Sequence, residues 1–126
     1  QVALAGQPVA MRMLACTADG HTFAVASADL GDPVRVGPGL LALGRSAQAN
    51  VRAQVLNEQP AAVPGMTPNP AARRWRLQGQ LPDGHAVAEQ VLVFAHGTRV
   101  FQASVIGAQA DDTRAAPFFD AIQVRP

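Results

Sequence analysis

The sequence predicts an α+β fold in which a single antiparallel β-sheet is covered on one face by a long helix and followed by a short C-terminal helix. Three observations predict it. Dipeptides typical of hairpin turns separate β-rich runs, one segment has apolar residues at helical spacing, and an aromatic pair near the end stands in a short helical pattern. The chain has 126 residues, the size of one domain, so we expect residues 1–126 to form a single unit around one core.

The strands are predicted from their turns. Three dipeptides that tolerate positive φ lie between β-rich runs: Asp19-Gly20, Asp83-Gly84 and His96-Gly97. The first turn predicts a hairpin of residues 9–18 and 21–28, since Met11, Met13 and Ala15 alternate with Arg12, Leu14 and Cys16 in its first strand. The other two turns predict a three-strand antiparallel meander of residues 74–81, 86–95 and 99–106.

The first strand of the meander predicts which side of the sheet is core. Its alternation sends one set of residues to the core face: Trp75, Leu77, Gly79 and Leu81. It sends a polar set to the other face: Arg74, Arg76, Gln78 and Gln80. We expect the polar face to be solvated, and because arginine is enriched at protein interfaces we interpret these four residues as a candidate interaction face for a protein partner.

A long amphipathic helix is predicted over residues 38–57. Gly37-Pro38 is a suitable start for a helix, and Pro60 ends it. Apolar residues recur at spacings of three and four: Leu40, Leu43, Ala47, Val51 and Val55. Gly44 lies beside this stripe, so we expect it at the closest approach of the helix to the sheet.

The segment that follows the helix is rich in proline. Residues 60–70 cannot form a regular helix, and we interpret them as a connector in which residues 63–67 form a short edge strand. Near the end, Asp111, Asp112 and Thr113 stand where a helix dipole and an N-cap favour them, which predicts a second helix over residues 114–122.

These patterns together predict the core. Its members come from the helix stripe, the inward strand faces and the C-terminal helix: Leu40, Leu43, Val51, Val55, Trp75, Leu77, Val105, Phe118 and Phe119. The lone cysteine, Cys16, lies in a strand-like run, so we expect a small buried hydrophobe rather than a reactive thiol.

The order of the elements resembles the PsbP-like fold, a group that includes bacterial exported proteins of unknown role. The local marks are the small-residue passage over residues 23–33 before the helix and the strand 99–107 that precedes Phe118-Phe119-Asp120-Ala121-Ile122. The resemblance implies an exported, for example periplasmic, protein with a leader or an additional strand upstream of Gln1. Because the fold serves photosystem-associated, GTPase-binding and lipoprotein roles, it implies no active site.

Composition argues against several classes of protein. With 48% hydrophobic and 15% charged residues, the chain is neither disordered nor a polyelectrolyte. The net charge is +1 and lysine is absent, so we expect no nucleic-acid partner, and we interpret Arg73, Arg74 and Arg76 as flanking a core tryptophan. No apolar run reaches the roughly 20 residues needed to span a bilayer.

No group of reactive side chains predicts catalysis, a metal or a cofactor. The histidines His21, His85 and His96 belong to hairpin turns and lack the spacing of metal ligands. The carboxylate pairs Asp29/Asp32 and Asp111/Asp112 lie beside helix starts, where capping explains them.

The sequence therefore predicts a non-enzymatic exported or envelope-associated domain that acts through protein–protein contacts, and it predicts nothing about oligomeric state. One alternative is a carrier of small apolar ligands, with a pocket between helix and sheet lined by methionines and phenylalanines: Met11, Met13, Met66, Phe94 and Phe101. Another is an enzyme of the cone-shaped isomerase type, for which Glu89 is the one carboxylate outside the loops.

Overall fold

A computed structural model describes residues 2–4, 7–18, 20–107 and 117–122 of the chain. In chain order the elements are β1 (Val2–Leu4), β2 (Gln7–Val9), β3 (Arg12–Ala18), β4 (His21–Asp29), a 3₁₀ turn (Pro33–Arg35), α1 (Val36–Asn50), β5 (Gln54–Pro60), β6 (Arg73–Gln80), β7 (Ala86–His96), β8 (Arg99–Gly107) and a short helix α2 over residues 117–120.

Six strands form one antiparallel sheet in the order β3-β4-β8-β7-β6-β5, and β1 pairs with β2 separately. The predicted hairpin is β3–β4, and the predicted meander is β6–β7–β8. Pairing of β4 with β8 joins the two pieces, and α1 packs on β7 and β8. The α+β fold predicted from the sequence is confirmed, including its short C-terminal helix.

The predicted extent of the helix is wrong at its C-terminal end. Helix α1 ends at Asn50, and Arg52 takes a positive φ of 47° that turns the chain back toward the sheet. The carbonyl of Val51 then accepts a hydrogen bond from the amide of Gln80 at 2.8 Å, and residues 54–60 pair with β6. The helical spacing extends to Val55, but the backbone hydrogen bonds offered by β6 outweigh that local preference.

The β5 strand also explains one wrong core residue. Val55 lies on an edge strand beyond the end of α1, where its side chain is 41% exposed. The other predicted core residues are buried, apart from Phe118, which is half-buried. Cys16 is exposed rather than buried, because β3 forms the opposite edge of the sheet and nothing in the described part of the chain covers it.

The second face of the sheet is more covered than the alternation in β6 predicts. β7 carries apolar residues on both faces. Leu92 and Phe94, on the face away from α1, are therefore buried as well. The connector and residues 117–122 supply the cover, with Phe118 packed edge-on against Phe23 at 5.3 Å between ring centroids. The expected short strand in the connector is a single bridge between Thr67 and Ala95.

Candidate functional site

The predicted interaction face lies on β6, on the side opposite α1. Trp75 and Leu77 are buried beneath the helix, so the predicted alternation is confirmed for them. It is wrong for Leu81, which lies beyond the end of β6 and is 38% exposed. The four polar residues share the other face but differ in surroundings: Gln78 and Gln80 are exposed, whereas Arg74 and Arg76 are half-buried. We expected all four side chains to be solvated, but only the two glutamines are exposed.

Arg74 is held in place by two neighbours. Its Nη2 donates a hydrogen bond to Oε1 of Gln90 at 3.2 Å, and its guanidinium carbon lies 4.6 Å from the centre of the Phe119 ring. Gln90 itself is buried at the centre of the sheet. A cation over an aromatic face is attracted by the ring quadrupole, so the contact fixes the guanidinium beside the C-terminal helix. The sequence pattern could not predict it, because Arg74 and Phe119 lie 45 residues apart, as their numbers show.

A cleft opens beside Arg74 between the connector, the sheet and α2. Its volume is about 380 Å³. We call it the connector cleft, and the residues that line it are Gln59, Pro60, Ala62, Val63, Pro64, Arg74, Leu92, Phe119, Asp120 and Ile122. Most of these side chains are apolar, and the charged groups among them are Arg74 and Asp120.

A second cleft, of about 350 Å³, lies on the other side of the sheet beside α1. It contains Arg73 and Glu58, whose Nε and Oε2 atoms form an ion pair at 2.9 Å. The charges of Arg73 and Glu58 neutralise each other. We call this second cleft the helix cleft.

The predicted pocket between helix and sheet is not formed by the five residues proposed to line it. Phe94 and Phe101 stack on one another at 4.9 Å between ring centroids, and Phe94 is buried on the face opposite α1. Met13 is 64% exposed on the edge strand. Beneath the helix, Gly44 lies against Trp75, and both residues also line the helix cleft.

The histidines occupy turns and strand ends, as predicted. His85 Nδ1 lies 2.8 Å from Oδ2 of Asp83 in an exposed turn, and His96 Nδ1 lies 3.0 Å from the carbonyl oxygen of Gly65. The ring of His21 lies beside Gly107, at the other end of the sheet from His96. Over the described residues, no three histidine, cysteine or acidic side chains gather as a metal site would require.

The carboxylates near the helix start have structural partners. Asp32 caps the 3₁₀ turn by accepting a hydrogen bond from the amide of Val34 at 3.0 Å. Asp29 accepts from Thr98 Oγ1 at 2.7 Å and from the amide of Gly31 at 2.9 Å. These hydrogen bonds, that of Thr98 foremost, lower the pKa of Asp29. The capping interpretation is confirmed for Asp32 and is wrong for Asp29, which ends β4 and caps no helix, while Asp111 and Asp112 lie outside the described residues.

Glu89 is the acidic group with the most unusual surroundings. It lies on the helix-facing side of β7, between Leu77 of β6 and Ile106 of β8 in register. Its Oε1 atom is buried and has no hydrogen-bond partner among the residues that the structure describes. Burial raises the pKa of Glu89 to about 7, because the apolar surroundings disfavour the carboxylate. Near neutral pH the Glu89 carboxyl group therefore keeps its proton in part, on a face of the sheet where strand alternation predicts apolar residues.

The free edge of β3 is a feature that sequence reasoning missed. All seven of its residues are exposed, including Leu14 at 80%. β3 pairs with β4 on one side, and no described strand pairs with its other side. The signal in the sequence was the adjacent pair Met13-Leu14, which places an apolar side chain on each face of the same strand.

Comparisons with known proteins bear on the fold. No protein-family profile and no curated protein matches the chain. The chain is similar to a solved protein of unknown function from Pseudomonas aeruginosa, PA94, named as a candidate regulator. The likeness is one of fold. The two chains are 12% identical with a TM-score of 0.59, over 95% of this chain and 86% of that one, and at this identity a shared fold carries no shared chemistry.

The structure also bears on membrane insertion. Of the helices within the described ranges, none has both the length and the apolar character needed to cross a membrane.

Proposed function

We propose that this chain is a non-enzymatic protein-contact module and that the free side of β3 is its contact strand. An unpaired edge strand presents a row of backbone N–H and C=O groups to which another strand can add. The partner we propose is β3 of a second copy of the chain, paired antiparallel about a two-fold axis, the commonest symmetry of soluble oligomers.

The observation that carries this proposal is the contrast between the two edges of the sheet. β5 has the features that natural proteins use to block edge pairing: a bulge between Val55 and Asn57, the charged Glu58, and Pro60, which has no N–H to donate. β3 has a regular register with β4 from Arg12 to Ala18 and neither proline nor bulge. Among the strands that the structure describes, the β5 edge is protected and the β3 edge is open.

The composition of β3 supports pairing with itself. Its one charged residue is Arg12, at the end of the strand. In an antiparallel pair centred on Ala15, Leu14 would face Cys16 of the other copy and Met13 would face Thr17. Arg12 would face Ala18, so no like charges would be opposed. The apolar side chains of both faces would lose contact with water.

The experiment that tests this proposal compares two lysine substitutions. We expect the wild-type chain to self-associate in sedimentation velocity as its concentration rises. Leu14→Lys should raise the dimer dissociation constant at least about tenfold, because a charge on an edge strand opposes pairing. Leu56→Lys is the matched control, since Leu56 is an exposed leucine on the protected edge, 51% exposed.

The results that would overturn the proposal are equally specific. A wild-type chain that stays monomeric up to millimolar concentration would contradict it. So would equal loss of self-association in both variants, which would indicate a general effect of charge. Thermal melts of both variants establish that the fold is intact.

Three further properties stay predictions of the sequence. The absence of catalysis is supported by the lack of a reactive residue pattern in the sequence. The resemblance to the PsbP-like fold is supported by the order of the elements and its local marks, and the exported, periplasmic location is supported by that resemblance. The sequence upstream of Gln1 in the gene tests the location, because an export leader there would support it and a cytoplasmic domain fused there would contradict it.

A further inference from the structure

The connector cleft combines an apolar lining with a basic group. Leu92, Val63 and Phe119 are buried at its wall, while Ile122 is half-buried. Its volume of about 380 Å³ falls in the range of small-molecule sites, roughly 300–1,000 Å³. Sites of this kind are mostly apolar, with a few polar groups that fix the orientation of the ligand.

The half-buried position of Arg74 distinguishes this cleft from the helix cleft on the other face, where Arg45 is exposed. There, the guanidinium of Arg73 is paired with the carboxylate of Glu58. Within the described residues Arg74 has no such ion pair, and its hydrogen bond goes to the neutral amide oxygen of Gln90. A half-buried cation without a counter-ion attracts an anion more strongly than an exposed one, since water screens it less.

The geometry of Arg74 leaves donors free for an anion. A guanidinium has five N–H donors in its plane. The guanidinium carbon lies over the Phe119 ring at 4.6 Å from its centre, and one donor reaches Gln90. The remaining donors lie along the edge of the plane, which is the geometry that binds a carboxylate with two parallel hydrogen bonds.

We propose that the connector cleft binds a small amphipathic carboxylate, with Arg74 on the carboxylate group and the hydrocarbon part against Leu92, Phe119 and Ile122. Asp120 lines the same cleft and is exposed, so its negative charge lies at the solvent side and opposes an anionic ligand. This site is separate from β3 and goes beyond the proposed contact function.

The first experiment compares two probes of equal chain length. We expect octanoate to bind the wild-type chain in isothermal titration calorimetry and to shift the amide NMR signals of residues 59, 61–63, 92 and 118–122. Octanol, which has the same hydrocarbon chain without the charge, should bind at least about tenfold more weakly, because it cannot form the charge-assisted hydrogen bonds.

Variants assign the binding to Arg74. Arg74→Gln should weaken octanoate binding at least about tenfold. Arg74→Lys should have an intermediate effect, because it keeps the charge but loses the paired N–H donors of the guanidinium. Asp120→Asn should strengthen octanoate binding, since it removes an opposing charge. Arg45→Gln is the control, because Arg45 is an exposed arginine of the helix cleft.

Each outcome decides the proposal. Equal affinity for octanoate and octanol would overturn it, since binding would then be apolar only. Unchanged octanoate affinity in Arg74→Gln, or weaker binding in Asp120→Asn as a zwitterionic ligand would require, would also overturn it. If Arg74→Gln destabilises the fold, its weaker binding is ambiguous. The Asp120→Asn affinity and the NMR shifts of the wild-type chain then test whether octanoate binds in the connector cleft. Octanoate binding to Leu14→Lys should be unchanged, which separates this site from the contact strand.

Discussion

Gly44 of α1 lies directly against the indole of Trp75 on β6. A Cβ atom added at Gly44 would lie 2.5 Å from Cη2 of that ring, closer than real Cβ contacts allow. The glycine therefore sets the distance between helix and sheet, as the helical phase predicted. Trp75 is buried, so the ring has little room to move away.

This contact predicts that Gly44→Leu lowers the free energy of unfolding by about 1–3 kcal/mol through overpacking, although leucine is the better helix former. Chemical denaturation measures it. Gly37→Ala is the matched control in the same helix, because a Cβ there would meet one atom at 4.0 Å, an ordinary contact. A Gly44→Leu protein more stable than wild type would mean that Gly44 faces water.

The aromatic pair of α2 should show unequal effects. Phe119 is 4% exposed and contacts both Arg74 and Phe118, so Phe119→Ala should cost about 3–5 kcal/mol. Phe118 is half-buried, so Phe118→Ala should cost about half as much. Urea denaturation of the two variants tests the order, and a larger loss for Phe118→Ala would contradict the placement of α2.

Glu89 predicts a pH dependence of stability. Burial raises its folded-state pKa from 4.5 to about 7, so between these values the folded chain holds a proton that the unfolded chain has lost. Stability should therefore fall as the pH rises from about 4.5 to about 7 and level off above that. The loss should be about 2 kcal/mol, after allowance for the solvent-accessible part of the side chain.

Denaturation curves of the wild type and of Glu89→Gln across this pH range measure the effect. The difference in unfolding free energy between the two proteins should change with pH over the range from about 4.5 to about 7. Glu58→Gln is the control for the loss of one exposed glutamate, since Glu58 lies on the surface beside Arg73. A flat difference between wild type and Glu89→Gln would show that the carboxyl group is hydrated.

Local patterns were sufficient for the elements whose partners are near in sequence. The turns at Asp83-Gly84 and His96-Gly97 and the alternation around Trp75 predicted the meander and its core side, because neighbouring residues decide a hairpin. The end of α1 could not be predicted, since the pairing of residues 54–60 with β6 is a tertiary effect that overrides helical spacing.

In the candidate sites, too, the sequence predicted what neighbouring residues decide but not what tertiary contacts decide. Arg74, Arg76, Gln78 and Gln80 were correctly placed on one face by the period of a strand. The contact between Phe119 and Arg74 depends on where the C-terminal segment returns to the sheet, and the exposure of β3 depends on which strand forms the edge of the sheet. Neither relation leaves a periodic signal in the sequence, so only the fold reveals them.

The most direct test of the proposed contact strand is amide hydrogen exchange of the wild-type chain at low and high concentration. If β3 pairs with a second copy, exchange of the outward-facing amides of residues 12–18 should slow as concentration rises, while amide exchange in residues 54–59 stays constant. Exchange rates in β3 that do not change with concentration, or protection that appears on β5 instead, would contradict the account.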